Sequence, residues 1–183
     1  MTRRALLLMP VAFAGLGALV WRRERKLPDV IAGGTGPEVP IVTPGPARAA
    51  VPVRKLVHSD SEWRAILSDA EFEVTRRKGT EPPYASPYWN NHEAGIYRCV
   101  CCGNALFRSE EKFESGTGWP SFWAPLAEEN VRAISDYSLG MQRTELQCAK
   151  CDAHLGHVFE DGPEPTGLRY CINGIALRFE KAS

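Results

Sequence analysis

Cys171 stands in the stretch LRYCIN, where strict alternation sets Arg169, Cys171 and Asn173 on one face of a β-strand and Leu168, Tyr170 and Ile172 on the other. The first face is polar and reactive, the second apolar. The thiolate is the attacking form of cysteine, and the permanent charge of Arg169 favours it electrostatically. A lone strand cysteine also serves as a small buried hydrophobe, so the other five cysteines bear on the choice.

Four of those five fall into two CxxC knuckles, Cys99 and Cys102 in CVCCG, and Cys148 and Cys151 in CAKCD. Each knuckle can offer two thiolates to one tetrahedral centre, and two knuckles close a four-cysteine zinc site with no open coordination position. Such a site is structural. The competing readings are a pair of disulfides or two redox CxxC motifs. A redox pair normally opens a helix, whereas both knuckles lie among short strand-like stretches, with Gly103 after the first. Cys101 leaves an ambiguity, because CVCC also permits a pairing of Cys99 with Cys101.

These residues need a scaffold, and the chain of 183 residues supplies one of modest size. An apolar run from Ala5 to Trp21 follows Arg3 and Arg4 and is closed by RRERK. As a helix it spans roughly 25 Å, just enough for a thin or adapted bilayer. It reads as a membrane anchor or export signal over residues 1–26. The paired arginines also suit a twin-arginine signal, but no small-residue cleavage site follows directly, which favours an uncleaved anchor. Positive charge on both flanks leaves the orientation open. The expected location is the bacterial cell envelope, either anchored or exported. Residues 27–57 are rich in Pro and Gly and read as a semi-extended tether.

What remains, residues 58–183, is roughly 125 residues and suits one domain. Lys plus Arg number 22 and Asp plus Glu 22, so there is no basic stripe for a nucleic acid to bind. A small-molecule or peptide substrate fits better. Asp60 or Ser61 can cap a short helix through Trp63, Ile66 and Leu67, and a second helical stretch from Glu71 to Lys78 would end at Gly79. After Tyr97 the chain reads as short strands and turns.

The Cys171 strand, the two knuckles, SGTGWPSFW from Ser115 to Trp123 and HLGHVFEDGP from His154 to Pro163 occur in that set together. In this combination the chain resembles the B-type methionine-R-sulfoxide reductases, over roughly residues 59–180. The resemblance implies a mainly β fold of two antiparallel sheets with a few short peripheral helices. It also implies one structural Zn2+ on Cys99, Cys102, Cys148 and Cys151, away from the active site, and Cys171 as nucleophile. Reducing a sulfoxide needs a nucleophile for sulfur and a proton donor for oxygen. His154 and His157 are candidates for the donor because imidazole titrates near neutral pH, and the resemblance favours His157. Asp161 could orient or charge one of them. Arg169 and Asn173 would steady the thiolate and the polar part of the substrate. Trp119 matches the family residue that walls the pocket for the substrate methyl, with Phe122 and Trp123 expected in the core.

The chain departs from many family members where they carry a second, recycling cysteine. Thr117 occupies one such position and Ala85 the other. After attack Cys171 should become a sulfenic acid reduced by an external thiol, whether thioredoxin-like, glutaredoxin-like or small, because Cys101 is expected to be held far away. The expected substrates are oxidised proteins bearing methionine-R-sulfoxide, and the role protein repair under oxidative stress. Two alternatives belong to other classes: a zinc-stabilised binding module on the same scaffold that does no chemistry, and a thiol-redox regulator in which the CxxC pairs cycle.

Overall fold

A computed structural model describes residues 38–41, 51–137 and 143–182. The expected anchor lies outside them. Among the described residues no helix is long and apolar enough to cross a membrane. Within the expected tether, β1 (Glu38–Ile41) pairs antiparallel with β2 (Val51–Arg54), placing Pro40 opposite Pro52. A two-stranded ribbon has two edges, so proline, which lacks an N–H to donate, is tolerated there.

Two short helices follow. The first, α1 (Asp60–Ile66), is capped by Ser59, whose side chain accepts from Glu62 N while the Glu62 carboxylate accepts from Ser59 N. The second, α2 (Asp69–Arg77), repeats the arrangement with Ser68 and Glu71. These reciprocal capping boxes decide the starts, so the first cap is Ser59 and not Asp60 or Ser61. The second helix ends on Lys78, which itself takes the left-handed conformation at φ 58°. Both helices are too short to be stable alone. They are held by Trp63 and Phe72, each buried, with Arg64 stacked 3.8 Å over the Phe72 ring.

From Gly95 onward the regular elements among the described residues are strands and single 3-10 turns. A three-stranded sheet runs in the order β11 (Leu177–Lys181), β3 (Gly95–Cys99), β4 (Ala105–Arg108). A six-stranded sheet runs β5 (Lys112–Phe113), β6 (Ser121–Phe122), β10 (Arg169–Ile172), β9 (His154–Phe159), β8 (Arg143–Cys148), β7 (Val131–Asp136). Every pairing is antiparallel. Together they give the mainly β fold of two antiparallel sheets with short peripheral helices.

The core lies between the sheets. Strand β3 alternates buried and half-buried residues, turning Tyr97 and Cys99 inward and Ile96 and Arg98 outward. Phe107 stacks on Phe122 with centroids 4.3 Å apart, and Tyr97 meets Phe122 edge-on at 5.1 Å. Leu146, Leu155 and Ile172 complete that interior. Phe122 is therefore core as expected, whereas Trp123 is only half-buried and stands outside the cluster. Because Ile172 packs into this core, the strand that carries it is fixed, and Cys171 must face the other way.

Candidate active site

Strand β10 is inserted between β6 and β9, so Cys171 has a neighbour on each side: Ser121 on β6 and His157 on β9. Alternation places Arg169 beside Cys171 and sends Tyr170 toward Phe107, 6.0 Å between ring centroids. Asn173 does not continue the pattern. The strand has ended there and a 3-10 turn, Gly174–Ala176, begins. The buried Asn173 amide accepts from Glu81 N at 3.0 Å and donates to Leu155 O at 3.1 Å. It braces the end of β10 instead of presenting a free amide beside the thiol.

Arg169 forms a two-pronged pair with Asp161, Nε and Nη2 each 2.8 Å from a carboxylate oxygen, and lies 4.4 Å over the Phe159 ring. The expectation that Asp161 serves a histidine is corrected accordingly: it holds Arg169. The electrostatic consequence falls on Cys171. Burial pushes the Cys171 thiol above its ordinary range, and the Arg169 charge with the nearby Thr117 and Arg169 side chains only partly counters it, while Asp161 adds to the rise. Arg169 favours the thiolate as its spacing suggests, but desolvation outweighs it, since the same guanidinium is paired with Asp161.

The two histidines sit in different environments. His157 is half-buried, and its Nε2 lies 2.9 Å from Asp136 Oδ2, which also accepts from Arg143 Nη2 at 2.8 Å. His154 is 3% exposed, with Nδ1 2.8 Å from Glu145 Oε1. That carboxylate also takes Lys78 Nζ at 2.8 Å and Gln147 Nε2 at 3.1 Å. Burial pushes the His154 pKa down, against the pull of Glu145. Residues three apart in a strand ordinarily face opposite ways. Here the register slips between Leu146 and Gln147, pairing Leu146 with Gly156 and Gln147 with His154. The bulge returns both rings to one side, 5.5 Å apart. Of the two, His157 is the one in register with Cys171, and His154 is a buried brace behind it.

Trp119 is half-buried, and its indole N–H donates to Glu81 O at 3.1 Å. The loop before it links Ser115 Oγ to Thr117 Oγ1 at 2.8 Å and to Ser121 Oγ at 2.7 Å. The Thr117 hydroxyl thus completes the surroundings of the thiol. Glu81 was not anticipated as part of the site, yet its backbone holds Trp119 and Asn173 while its carboxylate accepts from Gly174 N and Ile175 N. Nor were Asp136 and Glu145, the carboxylates that the histidines use. No local spacing announces such partners, since Asp136 and Glu145 reach the histidines across the sheet and Glu81 lies 92 residues before Asn173.

The second group of sulfurs closes on itself. Cys99 ends β3 and Cys148 ends β8, and each is followed by a tight turn that brings back Cys102 and Cys151. The turns match: Gly103 N donates to Cys99 O at 2.9 Å and Asp152 N to Cys148 O at 3.0 Å, with φ 71° and 56°. All four Sγ atoms lie within 4.8 Å of one another, with Cys99 to Cys151 at 3.7 Å and Cys102 to Cys148 at 3.6 Å. A tetrahedral zinc with bonds of about 2.3 Å requires sulfurs about 3.8 Å apart. The donor set fits a metal ion. Cys101 is buried against this cluster, approaching Cys151, Cys99 and Thr75. Along the ladders, Cys148 lies three residues on and two strands over from the level of Cys171, roughly 14 Å.

The SelR domain family matches residues 67–181 of the chain. The peptide methionine sulfoxide reductase MsrB of Hahella chejuensis (strain KCTC 2396) is 57% identical over 128 residues, covering 70% of this chain and 92% of its own length. The protein of the same name from Herminiimonas arsenicoxydans is 56% identical over 126 residues, 69% of this chain and 92% of its own. That of Methanosarcina mazei (strain ATCC BAA-159 / DSM 3647 / Goe1 / Go1 / JCM 11833 / OCM 88) is 50% identical over 127 residues, 69% and 91%.

Proposed function

The chain belongs to the SelR domain family, the B-type methionine sulfoxide reductases, and on that premise we propose that it reduces the R diastereomer of methionine sulfoxide in proteins through a sulfenic acid on Cys171. It is an oxidoreductase that converts methionine sulfoxide to methionine. The observation that supports the finer reading is the placement of Cys171 opposite His157 in the sheet, with Arg169 and Thr117 beside the sulfur.

Cys171 sulfur attacks the sulfoxide sulfur, and the S–O bond breaks as oxygen passes to Cys171. The protein thiol becomes a sulfenic acid and the substrate a thioether, so the oxygen and two electrons are exchanged between them. His157, held by Asp136, supplies the proton that makes the oxygen a leaving group. Trp119 walls the substrate methyl, an indole face being a favourable contact for sulfur and its methyl. An external thiol then condenses with the sulfenic acid, releasing water, and a second thiol frees Cys171 as a disulfide departs. Thr117 and Ala85 support this route, as does the burial of Cys101 against the four-thiol cluster.

The four-thiol cluster is assigned to one structural Zn2+, with Cys99, Cys102, Cys148 and Cys151 as ligands. Bound there, zinc contributes folding free energy and takes no part in the reaction. Turnover of separated R and S sulfoxides with dithiothreitol tests the proposal, alongside Cys171→Ser. Reduction of R alone, lost in the variant, is expected; turnover of S, or activity retained without the Cys171 sulfur, would sink it.

A further inference from the structure

Among the described residues the exposed large apolar side chains are Val57, Tyr84 and Tyr137. Tyr84 is 56% exposed and also holds a left-handed backbone at φ 64°, a conformation that costs any residue with a Cβ and that Gly or Asn would adopt more easily. Burial does not account for an aromatic residue there. Yet its position is tightly specified: Tyr84 N donates to Gly118 O at 2.8 Å, its hydroxyl donates to Gly116 O at 3.2 Å, and its ring meets the edge of Trp89 at 5.1 Å. Gly118 has no room for a side chain, since a Cβ would stand 2.8 Å from Pro83 and 3.0 Å from the Tyr84 ring. Strain of this kind, kept at an exposed position, is a signature of a functional surface.

The ring lies along the outer side of Gly116 to Gly118, while Thr117 between them reaches inward to Cys171. Trp119, next in the chain, is tied to Glu81, three residues before Tyr84. The segments 81–84 and 116–119 therefore form one continuous wall that runs from the thiol to an exposed aromatic face. An extended polypeptide rises about 3.3 Å per residue and returns a side chain to the same side every second residue, about 7 Å on. We infer that Tyr84 is a substrate-binding residue for the protein chain around the oxidised methionine, its ring receiving an apolar side chain two positions from the sulfoxide. This inference rests on the sulfoxide reductase reading and adds to it a preference for sequence context. A strained, tethered aromatic is suited to that task because its orientation is fixed before substrate arrives.

The test compares three R-sulfoxide substrates: N-acetyl methionine sulfoxide, a blocked peptide with glycine throughout, and the same peptide with phenylalanine two positions from the sulfoxide on either side. Wild type should prefer a phenylalanine peptide to the glycine peptide by about 3- to 10-fold in kcat/KM, carried by KM, the size of one aromatic contact. Tyr84→Asn, which suits the backbone but removes the ring, should bring that ratio to about one; Tyr84→Phe should retain it. A preference that survives Tyr84→Asn, or its absence in wild type, overturns the inference. So does an equal loss on all three substrates, which would make Tyr84 a support for the loop and nothing more. Failure of wild type to reduce N-acetyl methionine sulfoxide and both peptides would instead defeat the reading on which it rests.

Discussion

Gly156→Ala is the substitution whose effect the structure fixes most closely. Gly156 lies in β9 opposite Ile172, one residue before His157, and a Cβ added there would stand 2.0 Å from the carbonyl oxygen of Cys171 and 3.0 Å from Ile172 Cα. Real Cβ contacts essentially never fall below 3.0 Å, so β9 and β10 must part by at least about 1 Å at that point. The atoms in the way are backbone and cannot swing aside. Parting the strands weakens the ladder bonds on either side, about 1 kcal/mol each, and loosens Leu155 and Ile172, both fully buried. The expected cost is about 2–4 kcal/mol, or a melting temperature lower by about 8–16 °C for a domain of this size. Catalysis should suffer separately, because His157 and Cys171 are carried apart and a 1 Å misplacement costs on the order of 10²-fold. Thermal unfolding by near-ultraviolet circular dichroism gives the first number, and kcat/KM at a temperature where the variant is fully folded gives the second. Gly167→Ala is the control: at φ 70° with nothing within 4 Å of the added carbon, it should lose about 1–2 kcal/mol of stability to backbone strain and keep its activity. A Gly156→Ala protein that melts within about 2 °C of wild type, with undiminished kcat/KM, would refute the close approach of these strands.

Removing the negative charge in Asp161→Asn frees Arg169 to act on Cys171, and since Asp161 raises the thiol pKa and Arg169 lowers it, the pH midpoint of iodoacetamide alkylation should move down; an unchanged or higher midpoint contradicts the pairing. Thr117→Cys should place a second thiol within disulfide reach of Cys171, because the Thr117 side chain lies close enough to that sulfur to bear on its titration; after one turnover with substrate and no reductant, peptide mapping should find the new bond, and its absence would put the loop elsewhere. Cys148→Ser should abolish stoichiometric zinc and most folded protein, structural zinc being worth about 10 kcal/mol or more; a folded, metal-free variant would show the thiols to be held by packing alone.

Which of these features the sequence discloses follows from how far each partner lies along the chain. The alternation of LRYCIN sets Arg169 and Cys171 on one face because alternation is a property of a single strand, and it stops at Asn173 because the chain leaves the strand there. The CxxC knuckles are equally local. Each capping box is also written out, as SDSE and SDAE, but three adjacent residues at the first helix can all cap, and only the Glu62 carboxylate returning to Ser59 N selects between them. Partners across the sheet are a different matter. Asp161 lies close to the histidines in sequence, yet Asp136 and Glu145 are the carboxylates they meet, because β7 and β8 deliver these laterally. The slip beside Gln147 that turns His154 inward leaves no mark in HLGH itself. Within the expected tether, prolines suggested an unpaired chain, whereas a ribbon of two edge strands accommodates them.

The strand order of the larger sheet bears on how the protein comes to be folded. Strands β5 and β6 form early in the sequence and β7, β8 and β9 can pair as a meander, but the gap between the two groups is filled only by β10, one of the last strands in the domain. Until it arrives, β6 and β9 each show an open edge, the kind of surface that pairs wrongly with other chains. The contacts that seal it are among the most distant in sequence, as between Glu81 and Asn173 or Gly174, and such closures are slow. The strand that ends this exposure is the one bearing Cys171. No form in which β10 is still undocked has Cys171 in its place beside His157, so enzymatic activity reports on the fraction of chains in which the larger sheet has closed.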